Sequence, residues 1–95
     1  MTIETTAFDA AKYLGDPEAQ AVFLRDALET GDAGYIAHAL GVLARAQGMT
    51  KVAQDAGLSR EALYKALSPT GNPRLSTLLG VMKALHIRLD ATPAK

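Results

Sequence analysis

Apolar residues recur along this chain at helical rather than strand spacing, and short polar or glycine-bearing breaks separate the recurrences. Between Asp16 and Gly31 the positions Ala21, Leu24 and Leu28, with Phe23 and Ala27 beside them, follow the i, i+3, i+7 repeat of one buried helix face. Asp16-Pro17-Glu18 supplies an N-cap acceptor, a proline whose missing N–H costs nothing in the first turn, and an acid at the positive end of the helix dipole. Asp32 opens a second stripe, Ile36, Ala39, Leu40, Leu43 and Ala44, that runs to Gly48. Met49 to Leu67 then predicts two short helices parted only by Gly57 and Leu58, with the Thr50 hydroxyl capping the first and the Ser59 hydroxyl capping the second. Ser68-Pro69-Thr70-Gly71-Asn72-Pro73 cannot continue a helix, and after it Leu75, Leu78, Leu79, Met82 and Leu85 define a last amphipathic one. Upstream, Thr6 and Asp9 resemble a capping box that opens a short helix through Ala10, Ala11 and Leu14, stopped by Gly15.

The last ten residues change period. Ile87, Leu89 and Ala91 alternate with Arg88 and Asp90, which predicts a short strand. One strand needs a partner, and with no second strand evident the partner is the same segment of another copy; otherwise the segment is a frayed tail. The expected fold class is all-α. It is a compact bundle of five to six helices in one domain, with N-terminal helices over 1–31, a core over 32–86 and a strand or tail over 87–95.

Composition supports a packed chain: 95 residues, 48% of them hydrophobic and 21% charged, are one domain's worth and too apolar to stay disordered. The absence of cysteine excludes disulfide frameworks, thiolate metal sites and cysteine nucleophiles. Met1 to Asp9 does not read as a signal peptide, and no apolar run nears the ~20 residues that span a bilayer, so a cytoplasmic protein without membrane contact is expected. The formal net charge of +0 argues at first against a nucleic-acid partner, but it hides a division. Residues 1–40 carry seven acids against two bases, a balance of −5, and residues 41–95 carry eight bases against three acids, a balance of +5. Such asymmetry fits a nucleic-acid face in one half and another partner in the other, although two ordinary solvated faces would look the same.

The segment from Met49 to Ser68 carries the chemistry. Two helices crossing at a steep angle need a small residue at the crossing, which Ala53 supplies, and a turn residue that accepts positive φ, which Gly57 supplies. Val52, Ala56, Leu58, Leu63 and Ala66 then point to a shared core, leaving Ser59, Arg60, Glu61, Tyr64, Lys65 and Ser68 facing out. Every outward residue can hydrogen bond. This spacing resembles the helix-turn-helix of the phage repressor and Cro class, through all twenty positions without a gap. The resemblance implies a lambda-repressor-like fold in which Thr50 and Lys51 touch phosphate while Ser59, Arg60, Glu61, Tyr64 and Lys65 enter the major groove of double-stranded DNA, with Ser68 and Arg74 as further contacts. Glu61 has a second reading, as a helix-terminus acid or an i+4 partner of Lys65, and Tyr64 has one as a half-buried ring with a wet hydroxyl.

Flanking residues narrow the resemblance. Phe8-Asp9-Ala10-Ala11-Lys12-Tyr13-Leu14, Ala39-Leu40, the run Leu63-Tyr64-Lys65-Ala66-Leu67-Ser68-Pro69-Thr70-Gly71-Asn72-Pro73, Thr77-Leu78 and Ala84-Leu85 together look like the addiction-module antidote proteins, small antitoxins of type II toxin–antitoxin pairs. The loop Leu67 to Pro73 is the most specific part, because a generic helix-turn-helix has none there. His86 departs from the pattern, since such proteins usually end that helix with glycine. The resemblance implies a protein that blocks a cognate toxin, commonly a small basic RNase of RelE-like fold, and as a homodimer binds operator DNA to repress its own operon. A basic toxin would dock on the acidic half by complementary potential, with Tyr13, Phe23, Leu24 and Leu28 as apolar anchors unless that stripe is core. A stand-alone prophage-type repressor with no toxin partner is the alternative. An enzyme is not expected: His38 and His86 lie forty-eight positions apart outside any ligand or nucleophile motif, and no cofactor or metal is implied.

Overall fold

A computed structural model describes residues 15–94, and the helix expected over Thr6–Leu14 lies outside them. Among the described residues five helices run in order: α1 Pro17–Glu29, α2 Ala33–Gln47, α3 Met49–Ala56, α4 Arg60–Ala66 and α5 Leu75–Ala84. Three begin on the side-chain caps the sequence predicts. Asp16 accepts from the Ala19 N–H at 3.3 Å, Asp32 from Tyr35 at 3.1 Å and Ser59 from Ala62 at 3.0 Å, each satisfying a donor the helix cannot.

The start of α3 differs from the sequence-based expectation. No side chain caps it, and Thr50 sits inside its first turn, because Gly48 both ends α2 and serves as the N-cap of α3. With the two helices sharing one linking residue, no position is left for a hydroxyl cap. The C-terminal strand is expected to pair with a second copy, which a single copy does not supply. Residues 87–94 contain neither helix, turn nor bend, and the described residues contain no strand, since a single copy offers Ile87–Ala91 nothing to pair with.

One cluster of buried side chains draws on all five helices and includes Leu24, Leu40, Leu43, Val52, Leu63, Val81 and Leu85, each at most 1% exposed. Burying one such side chain contributes about 1.5–3 kcal/mol. α3 is the hub of this arrangement, packing against α2, α4 and α5 in turn, while α1 packs on α2. Ala53, 2% exposed, keeps the α3 backbone close to its neighbours, as a steep helix crossing requires. A polar tie crosses the cluster's edge. Gln47 Nε2 donates to Gln20 Oε1 at 2.8 Å and to the Leu85 carbonyl at 3.0 Å, joining α1, α2 and the end of α5.

Candidate nucleic-acid interface

The turn between α3 and α4 rests on Gly57, whose φ of +74° is a left-handed conformation that side chains resist. There the Leu58 N–H donates to the Ala53 carbonyl at 2.8 Å and the Gly57 N–H to the Gln54 carbonyl at 3.1 Å, the paired bonds of a Schellman cap. The chain leaves α3 in a new direction and Ser59 starts α4 at once. Inside the pair, Val52 and Leu63 are fully buried and Ala56, Leu58 and Ala66 are half-buried, in agreement with the predicted inner face.

Leu63 anchors α4 and leaves its other faces free. Ser59, Arg60, Glu61, Tyr64 and Lys65 are all exposed, and with Thr50 and Lys51 at the start of α3 they share one helical pair. Arg60 lies along Tyr64. Its guanidinium carbon is 5.5 Å from the ring centroid, and Nη2 donates to Tyr64 Oη at 3.4 Å. A cation over an aromatic face contributes about 0.5–1 kcal/mol at an exposed site, enough to bias the guanidinium outward without locking it. Sequence reasoning missed this contact, although the i, i+4 spacing of Arg60 and Tyr64 shows it in principle.

The remaining candidates are held differently. Lys51 Nζ pairs with Asp55 Oδ2 at 3.1 Å, the one ion pair among the described residues, and both side chains are largely solvated. Such a pair is worth about 0.2–1 kcal/mol, so a phosphate can compete for the ammonium. Glu61 has no ion pair with Lys65 and stands in the first turn of α4, where an acid suits the dipole. Ser68 is half-buried, and its hydroxyl donates to the Lys65 carbonyl at 3.0 Å, closing the end of α4. Arg74 is exposed at the N-cap of α5, across the Ser68–Pro73 loop from α4.

That loop is seated by two glycines. A Cβ on Gly71 would fall 2.3 Å from the Lys65 carbonyl oxygen and 2.4 Å from that of Ala66, and one on Gly34 in α2 would fall 2.8 Å from the Pro69 oxygen. The loop therefore touches the end of α4 on one side and the start of α2 on the other, tying α4 to the bundle.

On α1 the apolar anchors proposed for a toxin are mostly core. Leu24 is 1% exposed, and Phe23 and Leu28 are half-buried against the cluster; Tyr13 lies outside the described residues. What α1 and its exit do present is charge: Glu18, Asp26, Glu29 and Asp32 all lie on this acidic stretch, with Glu29 and Asp32 at its solvated end. Among the described residues no helix is long and apolar enough to cross a membrane, and no group of three or more histidines and carboxylates is gathered to hold a metal ion.

Fold and surface together define a small all-helical bundle that presents a polar helix beside a glycine-seated loop. The chain belongs to the family described as "Probable addiction module antidote protein", whose model matches residues 4–93. It is 42% identical, over the whole of this chain and 98% of the other, to a protein of Haemophilus influenzae (strain ATCC 51907 / DSM 11121 / KW20 / Rd) described as uncharacterized. No solved structure matches it. An antidote of an addiction module implies a cognate toxin as partner.

Proposed function

We propose that this antitoxin neutralises a small basic RNase of RelE-like fold and, as a homodimer, represses its own operon through a helix-turn-helix formed by α3 and α4. The observation that carries the DNA-binding half is the row Ser59, Arg60, Glu61, Tyr64 and Lys65, exposed on a helix whose inner face is locked by Leu63 at 0% exposure. An arginine reads guanine through two donors, a carboxylate accepts from cytosine, and hydroxyls and lysine serve either bases or phosphate. The acidic surface of α1 supports the toxin half, because complementary potential steers a basic partner to it and keeps it clear of the DNA face.

The test is an electrophoretic mobility series with the duplex upstream of the chain's own gene, run across salt concentrations. Phosphate contacts make log affinity fall linearly with log salt, so a steep slope on a specific duplex supports the reading and a flat one rejects it. Co-expression with the product of the adjacent short gene, scored by growth and pull-down, tests the toxin half.

A further inference from the structure

The segment after α5 is an unpaired edge. His86 turns the chain out of α5 at φ +63°, and the last backbone bond it makes to the bundle is Ile87 N–H to the Met82 carbonyl at 3.0 Å. Beyond that, among the described residues, no backbone hydrogen bond joins 88–94 to another segment; the Ala91 N–H donates to Asp90 Oδ1 at 2.7 Å. Leu89 and Leu79, 43% and 47% exposed, line one shallow groove with Met82, Lys83 and Ile87. An open backbone edge beside exposed leucines is a template for another strand.

Charge selects that strand. If the segment pairs antiparallel with itself and the two-fold axis passes through Leu89, Arg88 stands opposite Asp90 of the second copy and Asp90 opposite Arg88, while Ile87 stands opposite Ala91. Opposite residues share a face, so one face of the ribbon is wholly apolar and the other carries two ion pairs. Shifting the axis by one residue places Arg88 against Arg88 or Asp90 against Asp90, each a direct like-charge contact. Pro93, which has no N–H to give, ends the ladder.

We infer that residues 87–91 form an isologous two-stranded antiparallel ribbon centred on Leu89 with a second copy of this chain, covering the groove lined by Leu79 and Leu89. This names the interface of the homodimer in the proposed function and rests on that reading for its biological use. Its test needs no DNA. The chain has no cysteine, so a single Leu89→Cys places two thiols directly opposite each other across the axis. Mild oxidation with copper–phenanthroline is expected to convert Leu89→Cys to a covalent dimer. Arg88→Cys and Asp90→Cys each stay largely single alone, and mixed together, one of them carrying a mass tag, they cross-link to each other. Asp90→Arg is expected to raise the dimer dissociation constant roughly five- to thirty-fold, and the swap Arg88→Asp with Asp90→Arg to restore it. A monomer by light scattering at tens of micromolar, no cross-link at 89, self-linking of Arg88→Cys as fast as Leu89→Cys, or an Asp90→Arg variant with unchanged dissociation would each overturn the ribbon. Loss of operator binding with the ribbon cross-linked as described would count against the DNA reading alone.

Discussion

Two helix ends in this molecule close with the same long backbone bond and different residues. At the end of α3 the left-handed position is Gly57, and at the end of α5 it is His86, with φ of +74° and +63°. In both, a six-to-one bond reaches back over the turn, from Leu58 to Ala53 at 2.8 Å and from Ile87 to Met82 at 3.0 Å. A residue with a Cβ gives up roughly 1–2 kcal/mol in this conformation, which glycine does not. The bundle adopts the strained geometry at His86 because the next residue requires it: Ile87 must fold back onto the core and send the last residues along α1 and α5. The hydrogen-bond pattern is set by the direction the chain must take, and the residue type sets only its cost.

Gly71 shows the other way a glycine is required. At Gly71 the constraint is space rather than φ, so this site is expected to give the largest effect. Gly71→Ala, whose Cβ would overlap the Lys65 and Ala66 carbonyls, is expected to cost at least about 3 kcal/mol, read as a melting temperature about 12 °C lower or more. Gly57→Ala comes next. Nothing lies within 4 Å of the added Cβ, so only the conformational cost remains, net about 1 kcal/mol by urea denaturation. The smallest change has the opposite sign: His86→Gly is expected to stabilise by roughly 0.5–1 kcal/mol, the relief of the left-handed strain less the entropy that glycine adds to the unfolded chain. Equal destabilisation at Gly57 and Gly71, or a loss of stability in His86→Gly, would dissolve the distinction between conformation and space.

The same distinction explains what the sequence discloses. Features that depend on a residue and its near neighbours are legible: the caps Asp16, Asp32 and Ser59, the apolar stripes of α1 and α2, the turn at Gly57 and the outward row on α4. Features set by the partner across the fold are not. Nothing in Ser68–Pro73 says that Gly71 must clear the end of α4, or that Gly34 must clear Pro69. Thr50 reads as a cap until α2 and α3 are seen to share Gly48. Leu24 and Leu28 read as core more readily than as anchors, and only the docking of α1 on α2 decides between the two. The alternation at 87–91 is plain, yet a single copy leaves it without a ladder.

The central claim is that α4 is held rigid by Leu63 and the Gly71 loop so that its outer row can read bases. The most direct measurement compares Arg60→Ala with the unaltered chain for binding to the operator duplex and to a scrambled duplex at one salt concentration. A loss of about 1–3 kcal/mol on the operator, with little change on the scrambled duplex, is the predicted result. Equal affinities of the two proteins for the operator, or an equal loss on both duplexes, would contradict it.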